Sequence, residues 1–164
     1  ATGRVNRLSP GVDTIKLPAE GRMIKITGFE HVSIGAADTE PSAGVLELFG
    51  IKPLYNEDIH PHGVTTTYYE HENIEETRVR FEIIRPANEQ APLNKFLEKR
   101  GPGIHHICMQ VEDLEDAMKQ IKDAGGQLVE PIFDDSRGRH VFVHPKFTGG
   151  FLLGLIELKP GQKP

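Results

Sequence analysis

The sequence predicts an α+β domain built from two tandem βαβββ modules, and two observations predict it. Strand-like and helix-like patterns follow one another in the same order twice, and a self-comparison at an offset of 75 residues lays His31 on His106 and Glu82 on Glu157. At 164 residues the chain suits one compact unit, long enough to bury a core and short for two independent domains.

Each element has its own warrant. Residues 1–22 mix Gly, Pro and scattered charges without a period of 2 or 3.6, which predicts an irregular N-terminal arm. The single domain spans 23–160, with modules at 23–86 and 103–160 and a connector at 87–102. In the first module IKITGFEHVSIG reads as a strand, and Asp38 and Thr39 then cap a helix with Pro41 in its first turn and Gly50 at its end. Three more strands follow, KPLYNEDI, GVTTTYYEHE and TRVRFEIIRP, the last two rich in the β-branched and aromatic residues that pleated surfaces favour. The connector holds a helix over roughly 91–99 that places Leu93, Phe96 and Leu97 on one side and stops at Gly101. The second module repeats the order: GIHHICMQVED as a strand, a helix LEDAMKQIKDAG capped by Asp113, then QLVEPIF, RHVFVHP and FLLGLIELK. Leu114, Met118, Ile121 and Ala124 form the buried stripe of that helix, and Gly125 and Gly126 end it.

Composition narrows the function. A formal charge of −5 and a pI near 5.9 argue against a phosphate-backbone surface, which needs clustered Lys and Arg, so nucleic acid is set aside. No apolar run approaches the roughly 20 residues that span a bilayer, and the start lacks the basic-then-apolar layout of a secretory signal, so the expectation is a cytoplasmic protein without membrane contact. The single cysteine, Cys108, has no partner for a disulfide or a thiolate metal site, so any metal must use nitrogen and oxygen.

HVSIGAAD from His31 and HICMQVED from His106 share a His, an apolar residue, a small residue, an apolar residue and a helix-capping Asp. Together with Glu82 and Glu157 they give each half one His and one Glu. Strand alternation puts Ser33 on the face of His31, and Cys108 and Gln110 on the face of His106, so the two polar faces meet across a cavity. The predicted fold is therefore a curved mixed sheet around a metal cavity, with His31, Glu82, His106 and Glu157 as ligands for a divalent ion such as Co, Zn, Ni, Mn or Fe. Other residues are assigned plainer roles. His105 is expected to turn to the opposite face as a packing residue, and His60, His62, His71, His140 and His144 to be surface or structural. Cys108 reads as a small buried filler, and ENIEE at 72–76 as a solvated turn.

The segments EHVSIGAAD, APLNKFLEKRGPGIHHICMQVEDLEDAMKQIKDAG and HVFVHPKFTGG resemble the methylmalonyl-CoA epimerase family of the vicinal-oxygen-chelate (glyoxalase) superfamily, over most of 23–160. The resemblance implies a metal held by two His, one Gln or Glu and one Glu, which polarises a thioester carbonyl while carboxylates move the proton on the carbon alpha to it. His31 and His106 match the two His, Glu82 the Gln or Glu, and Lys146 a position near the opening that meets the coenzyme A portion. The last Glu falls on Gly154 when counted without gaps from HPK, whereas the internal repeat selects Glu157; the repeat is followed here, which makes Glu157 both ligand and candidate base. A second proton-handling Glu of the family is replaced by Thr66. The expected activity is a metal-dependent isomerase of methylmalonyl-CoA or a related acyl-CoA, working as a homodimer. The alternatives are a glyoxalase-like isomerase, an extradiol-type dioxygenase, or a non-catalytic small-ligand-binding member.

Overall fold

The β-branched and aromatic runs become strands, with small shifts at their ends. The computed structural model of the chain describes residues 23–71 and 80–162. Its order is β1 (Ile26–Gly35), α1 (Glu40–Leu48), β2 (Ile51–Ile59), a 3-10 turn (His60–His62), β3 (Val64–His71), β4 (Phe81–Pro86), α2 (Pro92–Arg100), β5 (Gly103–Val111), α3 (Leu114–Asp123), β6 (Leu128–Asp134), β7 (Gly138–Val143), α4 (Pro145–Thr148) and β8 (Leu152–Leu158). The predicted arm 1–22 and the acidic run 72–76 lie outside the described residues. The 3-10 turn and α4 are additions to the expected order.

The eight strands form one mixed sheet in the order β2-β3-β4-β1-β5-β8-β7-β6. Each half contributes the same pattern: its first strand lies parallel to its last, β1 against β4 and β5 against β8, and the other two follow antiparallel outward. The halves join along the antiparallel β1–β5 pair, so equivalent strands sit side by side at the centre. The sheet curls far enough that the first edge strand meets the far hairpin, where Ser136 donates from its backbone N–H and its hydroxyl to Glu57 of β2 at 2.8 and 2.6 Å.

Apolar residues on the outer face are covered by helices. Leu114, Met118 and Ile121 of α3 pack with Val111, Val141 and Leu155, and full burial of each such side chain contributes about 1.5–3 kcal/mol. Asp113 caps α3 by accepting from the Asp116 N–H, as its position predicts. At α1 the cap differs: the Thr39 side chain makes no bond, and Asp38 accepts from Glu40 N–H at 3.1 Å. Leu46 of α1 joins Ala36, Tyr69 and Ile83 beneath it. A third cluster, of Ile59, Val64, Ile84, Leu93 and Phe133, lies on the concave side and holds α2 across the join. No described helix is long and apolar enough to cross a membrane.

Candidate metal centre

Ser33 of β1 pairs with Glu82 of β4 on one side and with His106 of β5 on the other, and directly paired residues share a face of the sheet. His31, two residues before Ser33, shares that face by alternation. The two halves thus bring His31, Glu82 and His106 together, all buried on the concave side. His31 Nε2 lies 3.1 Å from His106 Nε2, and Glu82 Oε1 lies 3.4 and 3.3 Å from them. Burial pushes the His31 imidazolium down to about 3, with the Glu30 charge opposing, and holds His106 well below its ordinary value. Both rings are therefore neutral at pH 7, with lone pairs available. Burial raises Glu82 to about 7, outweighing the Ser33 hydroxyl.

These donors fit a divalent cation. Three ligand atoms within 4.8 Å of one another converge from three strands. Of two neutral Nε2 atoms only one can donate, so a hydrogen-bonded arrangement leaves lone pairs opposed, whereas a cation accepts all three. His106 Nδ1 lies 3.0 Å from His105 Nδ1, which fixes the ring through the nitrogen not used for ligation. His105 sits edge-on to Phe96, with ring centroids 4.9 Å apart, so its packing role stands, but it does not turn to the opposite face. The β1–β5 register shifts between Ser33 and Ile34, leaving His105 as the extra residue of a bulge, and it turns inward beside His106.

The repeat misplaces the last strand. Gly154 pairs with Cys108 of β5 and Phe142 of β7, and Cys108 pairs with His31, so Gly154 occupies the cavity row that the gapless count assigns to a Glu. Glu157, three positions on, faces outward and is exposed, and its carboxylate accepts from Leu114 N–H at 2.8 Å at the start of α3. It is neither beside the His pair nor in reach of the cavity, which corrects its assignment as ligand and base. Glu157→Ala is accordingly expected to keep its metal content and to lose about 0.5–2 kcal/mol of stability through the helix start, a combination that metal analysis and denaturant melts check together. A carboxylate at Gly154 would be crowded, because a Cβ there meets Cys108 Sγ at 3.1 Å and the Phe142 ring at 3.2 Å. Thr66 lies buried on the cavity wall, so both positions at which the resemblance implies a proton-handling carboxylate face inward, and neither carries one in this chain. Lys146 is exposed on α4.

The inner cavity, of about 210 Å³, is also lined by His62, Asp135 and His140, none of which the sequence reading selected. For His140 a signal existed. RHVFVHP alternates, and once Gly154 is placed inward, its partner Phe142 and then His140 share that face. His140 Nε2 lies 2.7 Å from Asp135 Oδ2, and Asp135 Oδ1 accepts from the Arg137 and Gly138 backbone N–H groups at 2.8 Å each. Burial alone would raise Asp135, but His140 and these two donors outweigh it and hold the carboxyl below its ordinary range. Next to His31 in the chain begins a further buried network: Glu30 accepts from Arg80 at 2.6 Å, from Arg137 at 2.8 and 3.1 Å, and from Gln110. Glu30 is itself the extra residue of a register shift between Phe29 and His31, which turns both inward.

Outside the metal centre a wider groove of about 650 Å³ runs along α2, lined by Lys95, Phe96, Lys99, Arg100 and Phe151 among others. It meets the inner cavity at Pro92, His105, His106 and Leu152.

Residues 30–143 match the glyoxalase/bleomycin resistance protein/dioxygenase superfamily. A mitochondrial methylmalonyl-CoA epimerase of Dictyostelium discoideum is 31% identical over 140 residues, covering 82% of this chain and 80% of the relative. An ethylmalonyl-CoA/methylmalonyl-CoA epimerase of Cereibacter sphaeroides is 33% identical over 133 residues, covering 78% and 96%. The crystal structure of methylmalonyl-CoA epimerase from Mycobacterium tuberculosis superposes with a TM-score of 0.74 at 27% identity, covering 85% of this chain and 93% of that one. Its doubled sheet, its His, His, Glu cluster and these similarities together mean that the chain belongs to the methylmalonyl-CoA epimerase family of the glyoxalase superfamily.

Proposed function

We propose that this chain is a metal-dependent epimerase acting on the carbon alpha to a thioester carbonyl, with methylmalonyl-CoA or a related acyl-CoA as substrate. The observation that carries the reading is the convergence of His31, Glu82 and His106 at the inner end of a two-part cleft. Bound there, a divalent ion supplies Lewis-acid stabilisation to the carbonyl oxygen as it gains enolate charge, which makes a weakly acidic C–H proton removable at neutral pH. The protein's own work is to hold the three ligand atoms, seat the acyl group in the small inner cavity and keep water from it. Ile59, Val64, Ile84 and Leu93 give that cavity an apolar wall, suited to a short branched acyl chain.

The outer groove suits the rest of an acyl-CoA. Lys95, Lys99 and Arg100 supply positive charge for phosphates, and Phe96 and Phe151 supply apolar surface. Lys146, exposed beside the groove residues His144 and Pro145, adds a cation to the same rim. The junction of groove and cavity at His106 lets a thioester cross between them.

The test is to incubate the metal-loaded protein with one epimer of methylmalonyl-CoA in deuterated water. Expected are deuterium at the alpha carbon and formation of the second epimer, with metal content measured on the same sample. No exchange with any short branched acyl-CoA overturns the reading. Oxygen uptake with catechols would instead favour the dioxygenase alternative, since two His and one carboxylate with open positions also suit iron(II) oxygen chemistry.

A further inference from the structure

We propose that His140 and His62 are the two proton-exchanging residues of this site, taking over from the carboxylates absent at Gly154 and Thr66, and that Asp135 positions His140. The inference rests on the epimerase reading and adds the identity of its acid and base.

Epimerisation needs a proton removed from one face of the alpha carbon and a proton returned to the other, so two groups on opposite sides of the substrate serve it directly. The carboxylates that would do this are absent at Gly154, on β8 in the second half, and at Thr66, on β3 in the first. Two imidazoles occupy the same cavity with the same division. His140 comes from β7 in the second half, and His62 from the 3-10 turn that leads into β3 in the first. Both pack against one side chain: the His140 ring stacks on Phe133 at 4.8 Å and 12° between planes, and the His62 ring meets Phe133 edge-on at 4.5 Å. His62 also packs edge-on to Phe142 at 5.7 Å, the residue that crowds Gly154.

Neither ring is explained as mere packing. His62 Nε2 is buried without a hydrogen-bond partner, which costs free energy in a solely structural residue and suits one waiting for a ligand. His140 is buried, and its Nε2, which completes no well-aligned hydrogen bond, lies 2.7 Å from the Asp135 carboxylate, itself anchored by two backbone N–H groups. A fixed carboxylate behind an imidazole sets the tautomer and stabilises the imidazolium that forms when the ring takes a proton, which leaves Nδ1 as the exchanging nitrogen.

The step balances without any co-reactant. One neutral imidazole takes the alpha proton, the C–H electron pair becomes the C=C bond of the enolate, and the carbonyl π pair moves to oxygen. The other ring, as imidazolium, returns a proton to the opposite face while the carbonyl re-forms. One proton enters, one leaves, and nothing is oxidised. The two rings exchange roles in the reverse direction and reset with solvent.

The experiment compares wild type, His140→Gln, His62→Gln, the double variant and Asp135→Asn, using each epimer of methylmalonyl-CoA in deuterated water with metal content and melting temperature recorded. Each single His variant is expected to lose inversion by about 10²-fold or more. Each should keep deuterium exchange on one epimer only, and on opposite epimers in the two variants, because one face retains its base. The double variant loses exchange on both. Asp135→Asn should lower the inversion rate while KM and metal content stay as in wild type, which a purely structural role would not produce. Inversion at the wild-type rate in both single variants overturns the proposal, as does equal loss of exchange on both epimers in each. Absence of exchange in the wild type overturns the epimerase reading itself, and with it this assignment.

Discussion

Replacing His106 with alanine is expected to leave the protein without a stoichiometric divalent ion and to lower alpha-proton exchange on the order of 10³-fold or more. His106 supplies one of three converging ligand atoms. Disturbing only a residue behind a ligand commonly costs 10–100-fold in metal affinity, so removing the ligand atom itself costs at least that much. The catalytic loss follows because stabilisation of the developing oxyanion is worth about 10²–10³-fold even for a single hydrogen-bond donor, and a cation contributes more. His31→Ala should behave alike, since its Nε2 is equivalent across the β1–β5 join. Glu82→Gln should be milder, because an oxygen donor remains at the same place among the three ligand atoms. Elemental analysis of dialysed protein beside exchange rates checks all three. A His106→Ala protein that retains about one ion per chain would remove the basis of the metal centre.

The duplicated architecture was legible because it rests on short-range chemistry: alternation for strands, Asp113 and Gly125 at the ends of α3, and a repeated His at each central strand. His31, Glu82 and His106 were legible for the same reason, as equivalent positions of equivalent strands. The repeat failed at Glu157 because equivalence of halves holds only while both strands keep the same length and register. By register Gly154 is the equivalent of Glu82, and it follows His106 by 48 positions where Glu82 follows His31 by 51, so the second half is shorter and an equal offset overshoots by three, onto the outer face. His105 and Glu30 escaped alternation through bulges, which a period of 2 cannot anticipate. His62 and Asp135 lie in the connections that flank β3 and β7, and only the curl of the sheet brings these together. A strand pattern predicts faces; it does not predict which turns will close over them.

The buried Glu30 network leads to the second large expectation: Glu30→Gln should destabilise the fold by about 3–5 kcal/mol, a fall on the order of 10 °C in Tm for a chain of this size. Glu30 is 2% exposed and takes the donors of Arg80, Arg137 and Gln110 from three separate parts of the chain. Removing its charge leaves two buried guanidinium groups facing a neutral amide, and the cost comes from their lost compensation more than from the missing bonds. The effect should depend on pH with a definite sign. Burial alone would raise the Glu30 carboxyl, but the bonds and charge of Arg137, with Gln110 and Arg80, outweigh it and hold the group below its ordinary 4.5. Its contribution is therefore present above that value and is lost as pH falls through the lowered folded value, because the unfolded chain then binds the proton first. Wild type and Glu30→Gln should differ most near neutrality and converge in acid, as denaturant melts at several pH values will read. Adding Arg137→Met to the variant should restore part of the loss, since it removes one of the two guanidinium charges that Glu30 offsets. Equal stability of wild type and Glu30→Gln at pH 7 would mean that the two arginines find other compensation, and that Glu30 does not brace the fold.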